Sequence, residues 1–238
     1  MASLPLATPN DKEIFMPRTA RIYTEEGAFH ILARGNNKQK IFLSANDFAA
    51  YKSLLKKLKG EHPFKLYHYC LMANHVHLII ETNQKTSLSR FMKRLNLAYY
   101  SYFKKKYGYA GHFWQDRFKS LLISKDEYLT ACGLYIERNP VKAKMVESPR
   151  LYQYSSYHYY AYGQKDDLLD ADPIYEGMAS TEGKRQELYR DLMLDKKLGI
   201  TENTFKQLFL GDGDFICKME KRFDAKNSRL NVGRPREN

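Results

Sequence analysis

The stretch Tyr69-Cys70-Leu71-Met72-Ala73-Asn74-His75-Val76-His77-Leu78-Ile79-Ile80-Glu81 sets two apolar runs on either side of a short turn. The spacing predicts one strand over residues 64–71 and another over 75–81. Joined at Met72-Ala73-Asn74, they form an antiparallel hairpin. Side chains alternate along a strand, so His75 and His77 share one face while Val76 packs on the other.

Working outward, Phe29-His30-Ile31-Leu32-Ala33 reads as an earlier strand, and Arg34-Gly35-Asn36-Asn37 as the turn that follows it. Ser44 caps a helix running to about Lys59, with Phe48, Tyr51, Leu54, Leu55 and Leu58 at helical spacing and Gly60 and Pro63 as its end. Residues 88–106 form a long helix with Leu88, Phe91, Met92, Leu95, Tyr99, Tyr102 and Phe103 as its apolar stripe; Gly108 and Gly111 break it. A fourth strand follows at 118–123. Ser124 or Asp126 then starts a helix carrying Cys132, Tyr135 and Ile136, which Pro140 ends or bends. The order strand–helix–strand–strand–helix–strand–helix predicts an α+β fold, a ferredoxin-like antiparallel sheet with packed helices.

Residues 1–15 read as a loose lead-in and 16–163 as the main folded unit. Over 164–200 the composition turns acidic, with nine acids against six bases. Residues 164–230 are expected to form a small C-terminal helical region, with helices over 182–198, after Thr201 or Glu202, and from Asp214. Residues 231–238 form a basic disordered tail.

The chain has 238 residues. No run of ~18 apolar residues exists, and no secretory leader opens the sequence, so a cytoplasmic, nucleoid-associated protein is expected. The three cysteines, Cys70, Cys132 and Cys217, make no CxxC pair, which argues against a zinc ribbon. The formal charge is +12, and residues 87–125 concentrate it: nine bases stand against Asp116 alone. A solvated surface normally mixes signs, so this concentration points to a polyanionic partner, nucleic acid above all.

Two imidazoles one residue apart on a strand can share a divalent ion; from the strand alone, two satisfied core histidines read equally well. Tyr135 and Asn139, four residues apart, share a helix face. A helix packed on the sheet could bring the Asn139 amide oxygen to the ion and the Tyr135 hydroxyl to a phosphate held there. Two imidazoles and a carbonyl oxygen leave open positions, which suits Mg²⁺ or Mn²⁺ better than a closed zinc site. A tyrosine hydroxyl, with a pKa of about 10, needs such a cation to act as a nucleophile at neutral pH.

Five pieces in order resemble the single-tyrosine HUH transposases, most closely the REP-associated tyrosine transposases. They are Phe29-His30-Ile31-Leu32-Ala33-Arg34-Gly35-Asn36; Leu71-Met72-Ala73-Asn74-His75-Val76-His77-Leu78; Phe113-Trp114-Gln115-Asp116-Arg117-Phe118-Lys119-Ser120; Tyr135-Ile136-Glu137-Arg138-Asn139-Pro140-Val141-Lys142-Ala143; and Tyr154-Ser155-Ser156-Tyr157. The resemblance covers roughly residues 17–163. It implies an HUH endonuclease-like fold and a metal-dependent nuclease and strand transferase acting on single-stranded DNA with hairpins. It maps the metal ligands to His75, His77 and Asn139 and the nucleophile to Tyr135, which would form a 5′-phosphotyrosine link. The sequence departs from the family pattern in three places. Ala73 stands where the family commonly has proline, Asn139 where insertion-sequence relatives often have glutamine, and Tyr154 where tryptophan is frequent.

For DNA contacts, Arg34, Asn36 and Asn37 offer groups for base edges. Arg90, Lys93, Arg94, Arg117 and Lys119 can neutralise phosphates. Trp114 can stack an unpaired base or serve as core. Arg234 and Arg236 in the tail can add affinity. The tyrosines between Tyr152 and Tyr162 read as a structural cover over the sheet rather than as a stacking platform. The expected function is a strand endonuclease and transferase for hairpin repeats, monomeric or homodimeric. A catalytically silent DNA-binding regulator and a hydrolase using activated water are the alternatives.

Overall fold

The computed structural model describes residues 26–195 and 200–227, together with Ile22 and Thr24. The lead-in and the basic tail, with Arg234 and Arg236, lie outside the described residues. The elements run β1 (Gly27–Arg34), α1 (Ala45–Glu61), β2 (Phe64–Met72), β3 (His75–Thr82), α2 (Leu88–Tyr107), β4 (Lys119–Ile123), α3 (Glu127–Glu137), α4 (Asn139–Lys142), α5 (Tyr157–Tyr162), α6 (Pro173–Gly177), α7 (Glu182–Leu194), β5 (Phe209–Leu210) and α8 (Gly213–Phe223).

The strands form one sheet in the order β2-β3-β1-β4-β5. The first four pair antiparallel and β5 pairs parallel to β4. The expected α+β, ferredoxin-like arrangement is therefore present. Ala73 and Asn74 close the β2–β3 hairpin, and the β1–β3 register sets Arg34 opposite His75 and Leu32 opposite His77.

Strand alternation sorts the core into two layers. Phe29, Ile31, Ala33, Val76 and Leu78 pack with Tyr51 and Leu55 of α1 and Phe91, Leu95 and Tyr99 of α2. The opposite face carries Ala28, Cys70, Met72, Ile79 and Leu121, covered by Leu129, Cys132, Tyr135 and Ile136 of α3. The histidine pair lies on this second face.

Local chemistry sets the helix ends. Ser44 and Asp47 form a capping box at the start of α1. Gly60 does not end that helix, which continues to Glu61; an exposed last turn tolerates one glycine. Asp126 caps α3, accepting from the Tyr128 backbone N–H. Pro140 bends the chain rather than stopping it: it sits in the first turn of α4, where its missing N–H costs nothing.

The tyrosine-rich segment covers an edge. The Tyr154 carbonyl accepts from Leu71 N–H at 2.9 Å and Ser156 N–H donates to the Tyr69 carbonyl at 3.0 Å. Tyr160, fully buried, donates to the Tyr67 carbonyl at 2.6 Å. The free side of β2 is thus paired and shielded.

Beyond residue 163, helices form at α6, α7 and α8, and a short 3₁₀ turn (Thr204–Lys206) takes the place of the helix expected after Thr201 or Glu202. Strand β5 was not legible, being two residues long. Leu168, Leu208, Phe209 and Met219 join the cluster on the α1/α2 face, and Ile200 and Leu210 join the one under α3.

Candidate active site

One cavity of about 350 Å³ gathers His75 and His77 of β3, Tyr135 of α3 and Asn139 and Lys142 of α4, with Arg34 at the end of β1. The β-hairpin places both imidazoles on the face that α3 covers. The bend at Arg138 lets Asn139 and Lys142 follow Tyr135 along that face.

His77 is buried, with Nδ1 2.7 Å from Nε2 of His30 and Nε2 3.1 Å from the Asn139 side-chain nitrogen. His75 Nδ1 lies 2.6 Å from Asn74 Oδ1, an atom that can only accept, so Nδ1 carries the proton and Nε2 the lone pair. The two rings stand 4.9 Å apart. Burial, then the charge of Arg34, pushes His75 down to about 4. Burial, then His75, His30 and Arg34, holds His77 well below its ordinary value. Burial and then His75 take His30 to about 3. All three imidazoles are neutral near pH 7.

This donor set fits a divalent ion. Neutral imidazoles are the ligating form, and each ring has its second nitrogen engaged by a neighbour, Asn74 or His30, as metal-ligating histidines do. Among the described residues no three His, Cys, Asp or Glu side chains come together as a metal group. The Asn139 side chain stands beside the pair, with its nitrogen rather than the expected oxygen 3.1 Å from His77 Nε2.

Tyr135 is 5 % exposed, and burial, then Glu202, pushes its hydroxyl up to about 12. Lys142 Nζ stands 3.6 Å from the centroid of its ring. Phe205, arriving from the C-terminal region, packs 4.6 Å from the Tyr135 ring and 4.4 Å from His30. Arg34, Lys119, Lys142 and Lys206 line the cavity against the single acid Glu202. Arg34 Nε is buried without a hydrogen-bond partner. Burial and Glu202 thus outweigh the lining cations at the Tyr135 hydroxyl, and further positive charge brought to it would oppose the shift.

Behind Tyr135 lies a buried polar cluster. His68 Nδ1 is 3.1 Å from Glu137 Oε1 and Nε2 is 3.2 Å from Asp172 Oδ2, all fully buried. Burial alone would lower His68; hydrogen bonds to Asp172 and then Glu137 outweigh it and raise the ring to about 9. Tyr189 of α7 donates to Glu137 at 2.8 Å, and Thr130 donates to Asp172 at 3.0 Å. The cluster ties α3 to β2, α6 and α7 of the same chain.

The other expected DNA-contact residues disperse. Lys93, Trp114 and Arg117 line a second cavity between α2 and the loop before β4. Arg94 is engaged by Glu61 at 2.5 Å and His62 at 3.0 Å, and neither it nor Arg90 lines either cavity. Asn36 and Asn37 form the turn after β1, with Asn37 in a left-handed backbone conformation (φ 48°). The basic run is partly neutralised within the fold: Lys106 pairs with Asp47 and Lys125 with Glu81.

Sequence reasoning missed His30, Asn74, Lys142, Phe205 and Glu202 as neighbours of the site. His30 and Asn74 were legible, one a polar residue in an apolar strand and the other the residue beside His75. Phe205 and Glu202 carry no local signal, since only the return of the C-terminal region brings them here.

Known proteins share parts of this sequence and its fold. Residues 24–139 match the family model described as IS200-like transposase. A Haemophilus influenzae protein assigned to the REP-associated tyrosine transposases is 27 % identical over 157 residues, 60 % of this chain and 86 % of that protein. The structure of a REP-associated tyrosine transposase bound to a REP hairpin superposes with a TM-score of 0.54 at 20 % identity, covering 66 % of this chain and 93 % of that one. Among the described residues no helix is long and apolar enough to cross a membrane. Residues 24–139 are thus similar to the IS200-like transposases, and the proteins that the chain resembles include a REP-associated tyrosine transposase.

Proposed function

We propose that the protein cuts and rejoins single strands of DNA at hairpin-forming repeats through a covalent tyrosine intermediate. The observation that carries this reading is the convergence of His75, His77, Tyr135 and Asn139, drawn from two separate stretches of sequence, in one cationic cavity. The hairpin held by the structural relative supports DNA of that form as the substrate class.

His75, His77 and Asn139 would hold Mg²⁺ or Mn²⁺, which when bound supplies positive charge to a phosphate and lowers the cost of ionising a nearby hydroxyl. Arg34, Lys119 and Lys142 orient the phosphate and offset its charge. Tyr135 Oη attacks phosphorus, the bond to the 3′ oxygen breaks, and a 5′-phosphotyrosine forms. The tyrosine loses one proton and the departing 3′ oxygen gains one. The aryl ester keeps the bond energy, so a 3′-hydroxyl attacking it restores a phosphodiester and frees the tyrosine. Phe205 and α3 exclude bulk water from the ester.

The test incubates the full chain with Mg²⁺ or Mn²⁺ and a labelled single-stranded hairpin from repeats flanking its own gene. A denaturation-resistant protein–DNA band, absent with EDTA and in Tyr135→Phe, is expected. Tight binding without an adduct would instead favour the silent regulator, and cleavage surviving in Tyr135→Phe would make water the nucleophile.

A further inference from the structure

The chain between Tyr135 and Asn139 is not one continuous helix. α3 ends at Glu137 and α4 begins at Asn139, with Arg138 as the joint. The Arg138 N–H is shared between the Leu134 and Tyr135 carbonyls, at 3.1 and 3.3 Å. Pro140 has no N–H, so it returns no hydrogen bond to the Ile136 carbonyl one turn back. The backbone alone holds this joint loosely, yet the two residues it separates stand in the same cavity. Their relative placement needs a second source of rigidity.

The Arg138 side chain supplies one. It does not line the cavity of Tyr135, although it is a cation one residue from a proposed phosphate site. It is spent instead on the C-terminal end of α7. Nε donates to the Met193 carbonyl at 2.9 Å, and Nη2 donates to the Leu192 carbonyl at 2.7 Å and the Asp195 carbonyl at 2.5 Å. The last carbonyls of a helix have no partner within it and carry its negative end, so a guanidinium matches them in charge and in number of donors. A planar fork fixes direction as well as distance, which a single ammonium does not. One turn earlier on α7, Tyr189 donates to Glu137 at 2.8 Å. Two consecutive residues at the joint are thus pinned to one helix.

We infer that Arg138 is a positioning residue: anchored to the end of α7, it sets the angle between α3 and α4 and with it the placement of Asn139 relative to Tyr135. The inference rests on the proposed roles of those two residues and deepens them. It gives α7 a part in the reaction although no residue of that helix lines the cavity.

The test compares the full chain with Arg138→Ala and Arg138→Lys. It measures Mn²⁺ affinity by calorimetry, single-turnover adduct formation at saturating Mn²⁺ and hairpin, and hairpin anisotropy in EDTA. Arg138→Ala should bind Mn²⁺ about tenfold more weakly and form adduct about 100-fold more slowly, with hairpin affinity unchanged. Guanidinium chloride at low millimolar concentration should restore part of that rate in Arg138→Ala and leave the parent unaffected. Arg138→Lys should fall between the two, and it carries the test if Arg138→Ala does not fold. Unchanged rate and Mn²⁺ affinity in both variants would overturn the inference. So would a rate loss matched by lost hairpin binding, which makes Arg138 a DNA contact, or one that guanidinium leaves unrestored and that follows the melting temperature. A parent that forms no adduct would sink the tyrosine chemistry, while the Mn²⁺ titration still decides the role of Arg138. A parent that binds no Mn²⁺ either would remove both.

Discussion

His30 and His77 face each other on neighbouring strands, with Nε2 of the first 2.7 Å from Nδ1 of the second, deep under Phe205. The pair fixes which nitrogen of His77 can meet an ion. His30 is therefore expected to tune metal binding without touching the metal. His30→Gln should weaken Mn²⁺ binding, measured by calorimetry, by about 10–100-fold. Adduct formation should recover at high Mn²⁺. An unchanged Mn²⁺ affinity would remove His30 from the site's support.

Lys142 is the cation nearest the proposed nucleophile, 3.6 Å above its ring. Lys142→Met should slow adduct formation by about 100-fold in single-turnover assays. Hairpin affinity should change little, because Lys142 is one of four cations lining the cavity. Lys142→Arg should restore part of the rate. A variant that loses binding and rate together would make Lys142 a docking residue only.

Gly133 lies against His68, and a Cβ there would stand 2.5 Å from the imidazole. The ring is held on both sides by Glu137 and Asp172 and has no room to retreat. Gly133→Ala should cost about 1–3 kcal/mol in urea unfolding and displace the helix that carries Tyr135. Adduct formation should then fall even where the variant remains folded.

The same cluster makes stability depend on pH. His68 is raised to about 9, above its unfolded value of about 6.5. Its contribution is complete below about 6.5 and disappears as pH rises through 9. Asp172 is held low; burial opposes this, but His68 leads the groups that win. Its contribution is present above its usual value, about 3.9, and fades as pH falls below it. Melting temperature should therefore plateau between about pH 4 and 6.5 and decline towards pH 9.5. His68→Gln should flatten that alkaline decline, and a decline that persists there would assign it to other groups.

The parts of the fold that repeat a pattern were readable from the residues. The hairpin around His75 and His77, the stripe of α2 and the caps Ser44 and Asp126 all follow from period and end chemistry, and the order of these elements implied the α+β antiparallel class. The gathering of His75, His77, Tyr135 and Asn139 was foreseen because two sets of paired residues each share a face. The environment of Tyr135 was not. Phe205 and Glu202 lie about seventy positions from it and belong to a 3₁₀ turn and its approach, with no amphipathic period to betray them. Charge counting along 87–125 likewise overstated the free cations, since Arg94, Lys106 and Lys125 find acids only after folding.

Strand β5 contributes just two residues to the sheet, yet it lies along the flank of β4 that would otherwise be bare. A protein trimmed after residue 163 would carry the proposed catalytic groups but expose that flank, along with the apolar patches that Phe209 and Leu210 now fill. Such a fragment invites strand-to-strand self-association. The described residues beyond 163 thus act as a cover whose removal would turn a buried flank into an adhesive one.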